Sequence, residues 1–148
     1  MFHVVLVEPE IPQNAGNIAR TCAATGCVLH LVRPLGFEIT DRYLKRAGLD
    51  YWHLVDVRVH DDLAAFLAAY PEARMHLFTT KARKTYTQAD FREGDFLVFG
   101  RETRGLEEEF LLAHADACVR IPMREEARSL NLSNSVAIAV YEGLRQTD

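Results

Sequence analysis

The chain has 148 residues, 49% of them hydrophobic and 26% charged, with a net charge of −4. This length predicts one domain spanning 1–148, and the composition excludes a disordered chain. The acidic balance excludes a generally basic nucleic-acid protein. No apolar run is long enough for a membrane span, and the start "MFHVVLVEPE" has no secretory signal pattern, so we expect a cytoplasmic protein.

Apolar runs and turn residues predict strands that alternate with helices along the whole chain. The strands are predicted at 3–7, 27–32, 53–59, 74–80, 95–100 and 117–122. The helices are predicted at 14–26, 41–48, 61–70, 107–115 and 133–146, with N-caps at Asn14 and at Asp61 or Asp62. This alternation predicts an α/β fold with a mainly parallel sheet and helices on both faces. Ligands in such folds bind beyond the carboxyl ends of the strands.

Common cofactor and hydrolase motifs are absent from the sequence. No G-x-G-x-x-G follows the first strand, and there is no P-loop, H-E-x-x-H, C-x-x-C or G-x-S-x-G. The six histidines are scattered, and His30 and His76 fall inside predicted strands, which favours hydrogen-bonded core groups over metal ligands. We therefore expect no metal site.

Two polar segments have both a structural and a functional interpretation. In "NAGNIAR" (14–20), Asn14, Asn17 and Arg20 recur every three residues and are predicted to share one stripe of a helix. In "FGRETRGL" (99–106), Gly100 and Gly105 bracket an acidic and basic loop, and glycine permits close ligand approach. The structural interpretation is a capped helix with a surface arginine for the first segment and a loop with surface ion pairs for the second. On these residues alone, each structural interpretation is as well supported as a functional one.

The third segment is "RSLNLSNSVAIAVYEGL" (128–144), where five hydrogen-bonding residues precede an apolar helix. One capping residue suffices for a helix, and Ser133 or Asn134 could serve. The helix is apolar around most of its circumference, which predicts burial in the core or in a subunit interface. Its polar start is then predicted to be buried as well, and so many buried polar groups indicate a ligand.

These three segments together resemble the motifs of the SPOUT class of RNA methyltransferases, in the same order. The stretches "EPEIPQNAGNIART", "RAGLDY" and "LNLSNSVAIAVYE" are very similar to the TrmL (YibK-type) tRNA 2′-O-methyltransferases, which act at the wobble cytidine or uridine. The resemblance covers essentially the whole chain. It implies an α/β sheet with a deep C-terminal trefoil knot, S-adenosylmethionine as cofactor, and a homodimer whose active site is completed across the interface.

The resemblance also assigns residues. The cofactor positions are matched by Phe78, Gly100, Gly105, Ile121, Ser129 and Leu130, with Phe78 and Ile121 acting largely through backbone groups. Arg20 matches the arginine assigned to the ribose hydroxyl, and Asn14, Glu102, Ser129 and Asn131 match the polar groups around it. Because making a guanidinium neutral at pH 7 costs roughly 7 kcal/mol, we favour an electrostatic anchor over a general base.

Substrate recognition is the least determined part of the resemblance. The subgroup often has proline or a small polar residue where this chain has Arg101, which affects loop stiffness or RNA contact. With no appended RNA-binding domain, the tRNA anticodon region is expected to meet basic residues of this domain, namely Arg42, Lys45, Arg46, Lys81, Arg83 and Lys84. Two alternatives remain: methylation of another tRNA or rRNA ribose, and a non-catalytic RNA-binding factor that retains the cofactor pocket.

Overall fold

A six-stranded, all-parallel sheet forms the centre of the protein. The computed structural model describes residues 1–40 and 51–148. Its strands are β1 (His3–Val7), β2 (Val28–Val32), β3 (Val57–His60), β4 (Met75–Phe78), β5 (Phe96–Phe99) and β6 (Cys118–Val119). They lie side by side in the order β3-β2-β1-β5-β4-β6, and every pair is parallel. The predicted parallel α/β architecture is confirmed.

The helices in this part of the chain are α1 (Pro12–Thr25), α2 (Leu63–Ala69), α3 (Glu108–Ala113) and α4 (Leu132–Thr147). Single 3-10 turns lie at Trp52–Leu54, Tyr86–Gln88 and Ala115–Ala117. The helix predicted at 41–48 lies outside the described residues. Among the residues described, none of the helices combines the length and apolar character needed to cross a membrane.

Helices cover both faces of the sheet because successive strand side chains point to opposite sides. Val4 of β1 packs in one buried cluster with Ile18 of α1 and Val136 of α4. Its neighbour Val5 packs in a second cluster with Phe66 of α2 and with residues of α3. The central strands are therefore buried on both faces, as their continuous apolar sequences indicate.

The two edge strands are shorter than predicted. The third strand, predicted from 53, begins only at Val57, because 52–54 form a 3-10 turn from which Trp52 packs against the core. β6, predicted over 117–122, covers Cys118–Val119, and its pairing continues only as a bridge between Thr85 and Arg120. A strand with a neighbour on one side has fewer backbone partners to hold its ends.

The start of α1 differs from the prediction. The helix begins at Pro12 with Ile11 as N-cap, and Asn14 lies inside the first turn without capping it. Asn14 is buried, whereas Asn17 and Arg20 are exposed, so the predicted single stripe is wrong. Steps of three residues turn by 300° around a helix, and each step drifts about 60° from the last. The predicted stop at Gly26 is confirmed, since Gly26 has φ +75°.

The start of α4 is also corrected. Its N-cap is Asn131, not Ser133 or Asn134, and the polar residues Ser129, Asn131 and Asn134 are exposed in the single chain. Tyr141 is 56% exposed and Ile138 is 37% exposed, so the helix is not buried all round. One side of α4 packs on the core, and Ile138 and Tyr141 on the other side are exposed among the residues that the structure describes. The trefoil knot and the single domain stay predictions.

Three histidines form a hydrogen-bonded row across neighbouring strands on one face of the sheet. Nδ1 of His3 lies 2.9 Å from Nε2 of His30, and Nδ1 of His30 lies 3.0 Å from Nε2 of His60. Burial lowers the pKa of His30 to about 3. His76 is buried as well and bonds Asp95 at 2.7 Å. His30 and His76 are thus confirmed as satisfied core groups. Within 1–40 and 51–148, no group of three or more His, Cys, Asp or Glu residues could hold a metal ion.

Candidate active site

A cavity of about 380 Å³ opens beyond the carboxyl ends of β4, β5 and β6. Its walls come from the segments that follow these strands and from the start of α4. The residues that the sequence assigned to the cofactor all line it: Phe78, Gly100, Gly105, Ile121, Ser129 and Leu130. They meet because β4 lies between β5 and β6, so the ends of all three strands share one edge of the parallel sheet.

The loop after β5 folds back tightly on itself. The Arg101 N–H donates to the Gly105 carbonyl at 3.3 Å, and the Gly105 N–H donates to the Arg101 carbonyl at 2.8 Å. A Cβ atom on Gly100 would lie 2.1 Å from the carbonyl carbon of Gly105. Gly105 itself has φ +66°, a conformation that favours glycine. The loop therefore needs a bare backbone at Gly100 and a left-handed residue at Gly105.

The Arg101 side chain braces this loop from outside. Its Nε donates to the Gly105 carbonyl at 3.3 Å, and its Nη2 donates to Glu107 Oε1 at 3.0 Å. The guanidinium thus joins the two ends of the turn to the residue before α3. Of the two roles expected for Arg101, loop stiffness or RNA contact, these hydrogen bonds favour loop stiffness.

Glu102 connects the loop to the start of α1. One carboxylate oxygen accepts from the backbone N–H of Glu10 at 2.8 Å, and the other accepts from the N–H of Ile11 at 2.9 Å. The second oxygen also accepts from Nδ2 of Asn14 at 3.2 Å. The carboxylate therefore holds the two residues that lead into α1, and its charge lies at the positive end of the helix dipole.

A chain of amides continues from Glu102 to α4. Asn131 Nδ2 donates to Oδ1 of Asn14 at 3.1 Å. Asn131 Oδ1 in turn accepts from the Ser133 N–H at 2.9 Å and from the Asn134 N–H at 3.3 Å. Asn14 thus joins the starts of two helices and the loop after β5. The predicted polar groups Asn14, Glu102 and Asn131 form one connected network, with Ser129 on the adjacent cavity wall.

Sequence reasoning missed a second carboxylate in this region. Glu10 accepts from the N–H of Thr103 at 3.0 Å and from its hydroxyl at 2.9 Å. These hydrogen bonds lower the pKa of Glu10. Glu102 of the loop after β5 binds the backbone of the segment before α1, and Glu10 of that segment binds Thr103 of the loop. These reciprocal hydrogen bonds hold the two segments together. The only signal in the sequence was that Glu10 lies in the "EPEIPQN" stretch.

Arg20 lies apart from the cavity of its own chain. It is exposed on α1, and its guanidinium carbon lies 4.7 Å above the ring centre of Tyr51. That distance is a cation–π contact, which holds the side chain in place while its charge stays accessible. Arg20 does not line the 380 Å³ cavity, so one chain does not bring it together with the predicted cofactor residues.

The predicted RNA-binding residues divide into two groups. Lys81 lines the edge of the first cavity, and Lys81, Arg83 and Lys84 all line a second cavity of about 650 Å³ beside it. The other group, Arg42, Lys45 and Arg46, lies outside the described residues.

Comparison with known proteins agrees with this geometry. The sequence model of the SpoU rRNA Methylase family matches residues 1–141. A protein of Methylovorus glucosotrophus named "tRNA (cytidine(34)-2'-O)-methyltransferase" is 51% identical over 100% of this chain and 97% of its own length. A solved structure described as "Structural insights into the 2-OH methylation of C/U34 on tRNA" is 54% identical. It aligns with a TM-score of 0.95 over 99% of this chain and 95% of that one.

A second solved structure extends the similarity to a chain with bound cofactor. The AdoMet-bound rRNA methyltransferase from Sinorhizobium meliloti is 25% identical and has a TM-score of 0.88. The alignment covers 97% of this chain and 56% of that one. The matched motifs, the fold and these relatives agree, and the chain belongs to the SpoU methylase family of RNA methyltransferases.

Proposed function

We propose that this protein transfers a methyl group from S-adenosylmethionine to the ribose 2′-hydroxyl of nucleotide 34, a cytidine or uridine, in tRNA. The observation that carries the proposal is that all six residues matched to cofactor binding line one cavity, next to the Glu102–Asn14–Asn131 network. The substrate and the position are those named for the similar proteins.

The residues of the cavity fit S-adenosylmethionine. About 380 Å³ lies within the 300–1,000 Å³ typical of small-molecule sites. Phe78 and Ile121 offer apolar surface and backbone groups, and the bare backbone at Gly100 lets the loop close against Gly105 and Leu106 to form the cavity wall. Ser129 and the loop from Gly100 to Gly105 would supply polar partners. Bound S-adenosylmethionine supplies an electrophilic methyl group on a sulfonium.

Arg20 is the residue that we assign to the acceptor ribose. A fixed positive charge stabilises an alkoxide as its negative charge develops, or holds a neighbouring phosphate. The contact with Tyr51 orients the guanidinium without neutralising it. Proximity and alignment of donor and acceptor then account for most of the acceleration, because the methyl donor is intrinsically reactive.

Glu102 and Asn14 act in this proposal by positioning. Glu102 already accepts hydrogen bonds from two backbone N–H groups and one amide, so its carboxylate is engaged in holding the loop after β5 against α1. Asn14 transfers that constraint to Asn131 at the start of α4. Ser129 lines the cavity, and Asn131 follows it two residues later at the start of α4, where we propose that the acceptor nucleotide enters.

We also propose that the active form is a homodimer, located in the cytoplasm with its tRNA substrate. Arg20 does not line the cavity of its own chain, and in the proposed dimer the Arg20 of the second chain would complete the site. The exposed side of α4, with Ile138 and Tyr141, offers apolar surface for that association. We propose that the anticodon region of the tRNA is held by Lys81, Arg83 and Lys84 beside the cavity. Arg42, Lys45 and Arg46, which lie outside the described residues, are proposed to contribute as well.

The experiment that tests the proposal uses bulk tRNA from a strain that lacks this protein. The protein is incubated with this tRNA and methyl-labelled S-adenosylmethionine, and the labelled nucleotide is mapped. We expect label on the 2′-oxygen of nucleotide 34. Label only at another ribose, or none, refutes the assignment.

Arg20→Ala is the matching variant. It should abolish transfer while the affinity for S-adenosylmethionine stays within about twofold of the wild type, because Arg20 does not line the cavity. Unimpaired turnover of Arg20→Ala would remove Arg20 from the mechanism.

A further inference from the structure

The second cavity has no part in the chemistry described so far. It has a volume of about 650 Å³ and lies between the segment after β4 and the helix α3 with the turn that follows it. It adjoins the first cavity, since Thr79, Lys81 and Leu111 line both. A ligand that extends out of the methyl-transfer site over Lys81 would enter it.

One side of this cavity is apolar. Leu111, Leu112 and Ala115 face it, and Leu112 is 71% exposed. A leucine that is so exposed at the lip of a cavity is available to a flat, largely apolar group. Proteins that bind single-stranded RNA stack splayed-out bases on aromatic side chains or on arginine guanidinium planes, and Arg83 lines this cavity beside the apolar side.

The polar groups of the cavity are arranged by charge. Lys81, Arg83 and Lys84 are exposed on the segment after β4, and none of them forms an ion pair with another described residue. Glu108 and Asp116 lie on the opposite wall, formed by α3 and the turn after it. The arrangement therefore offers cations for a phosphate on one side and carboxylates for N–H donors on the other. A nucleotide carries both kinds of group, whereas a simple anion would be repelled by the carboxylates.

We infer that the second cavity receives a nucleotide next to the one that is methylated. Its base lies on Leu111, Leu112 and Ala115, its phosphate faces Lys81, Arg83 and Lys84, and the N–H groups of its base face Glu108 or Asp116. This inference rests on the proposed function, because it takes the ligand to be the tRNA substrate. It assigns the cavity a role in holding the single-stranded anticodon loop.

The test is a double-mutant cycle between protein and RNA. The protein variant is Leu112→Asp, at a site that is 71% exposed, so the substitution removes little buried surface. Its matched control is Leu54→Asp at another exposed leucine, 64% accessible, and circular dichroism checks that both variants are folded. The RNA is an anticodon stem-loop in which the base of either neighbour of nucleotide 34 is replaced by an abasic ribose. Equilibrium affinity for each RNA is measured with each protein, and the affinity for S-adenosylmethionine is measured as a check of the first cavity.

For wild-type protein, loss of one neighbouring base should weaken binding by about fivefold to tenfold. Leu112→Asp should weaken binding of the intact stem-loop by a similar factor. The affinity of this variant should not fall further when that same base is removed from the RNA. Leu54→Asp should behave as wild type. If the two effects multiply independently, or if neither abasic RNA binds more weakly, the cavity does not hold that base.

Charge gives a second readout. Lys84→Ala should weaken RNA binding at all sequences and lower the dependence of log K on log salt concentration by about one. An unchanged salt dependence would contradict a phosphate at this rim. Failure of the proposed function is distinguishable, because it appears as wild-type protein that does not methylate nucleotide 34. Failure of this inference appears as normal methylation with Leu112→Asp binding RNA as tightly as wild type.

Discussion

Gly100→Ala should disable the cofactor cavity through one methyl group. The new Cβ would lie 2.1 Å from the carbonyl carbon of Gly105 and 2.2 Å from the backbone nitrogen of Leu106. Ordinary contact begins at 3.4 Å, so the backbone must move by roughly 1.3 Å, and both obstacles are backbone atoms that cannot rotate away. The paired hydrogen bonds between Arg101 and Gly105 would be lost in that movement.

The magnitude follows from these losses. Overpacking in a closed site costs about 1–3 kcal/mol, and each backbone hydrogen bond contributes about 1 kcal/mol. We expect the free energy of unfolding to fall by about 2–4 kcal/mol, measured by urea denaturation followed through the fluorescence of the single tryptophan, Trp52. The affinity for S-adenosylmethionine, measured by titration calorimetry, should fall by at least tenfold.

Gly94→Ala is the matched control at the other end of β5. Gly94 has φ +90°, and a Cβ there would meet nothing within 4 Å. This substitution should cost about 1–2 kcal/mol of stability through backbone strain alone and leave cofactor affinity unchanged. The reasoning is refuted if Gly100→Ala binds S-adenosylmethionine as tightly as wild type. It is also refuted if Gly94→Ala weakens binding to the same degree.

Three further predictions concern stability and the loop. Burial lowers the pKa of His30 from 6.5 to about 3, so between these pH values the unfolded chain binds a proton that the folded chain does not. The free energy of unfolding is therefore at its full value above pH 6.5 and declines as the pH falls toward 3. At pH 5 the free energy of unfolding should be lower by about 2 kcal/mol. In urea titrations at several pH values, the free energy of unfolding of His30→Gln should depend less on pH than that of the wild type. An equal pH dependence contradicts this account. Asn14→Ala should lower the free energy of unfolding by about 1–3 kcal/mol, and Asn14→Asp should lower it further because it places a second carboxylate beside Glu102. Thermal unfolding compares the two variants, and equal losses of stability would argue against the network. Arg101→Ala should raise the Kd for S-adenosylmethionine severalfold. Glu107→Gln should raise it less, because Arg101 keeps its hydrogen bond to the Gly105 carbonyl. If calorimetry finds neither change, the Arg101 side chain does not support the loop.

The central strands could be predicted from the sequence because their signals are local. β1 was predicted at 3–7, where it is, and β2 begins one residue later than predicted. Both are short β-branched runs between turn residues and are buried on both faces. The cap of α2 at Asp62 was also predictable, since its side chain accepts from Ala65, three residues on. Such features depend on neighbours in sequence and not on the tertiary structure.

The start of α1 could not be predicted in the same way. The residues that lead into it, Glu10 and Ile11, donate their backbone N–H groups to Glu102, which is 92 and 91 residues away in the sequence. The helix begins at Pro12 after this anchored segment, and the Asn14 side chain bonds Glu102 and Asn131. The prediction of Asn14 as the N-cap therefore fails because residues distant in the sequence engage its side chain.

In the candidate site, too, some residues could be predicted from the sequence and others could not. All six residues that motif resemblance selected for the cofactor line the cavity, although they come from the separate segments that follow β4, β5 and β6. The resemblance did not select Glu10 and Thr103, whose contact joins residues 93 apart in the sequence and has no periodic or compositional signal. Side chains that hold two loops together become visible only when the fold brings those loops into contact.

The central claim is that the acceptor is the 2′-hydroxyl of nucleotide 34. The most direct measurement compares methyl transfer to two tRNAs that differ only by a 2′-deoxy sugar at that nucleotide, under conditions where both bind the protein equally. We predict stoichiometric transfer to the unmodified tRNA and none to the 2′-deoxy form. Continued transfer to the 2′-deoxy tRNA would contradict the claim, because the methyl group would then be accepted by another atom.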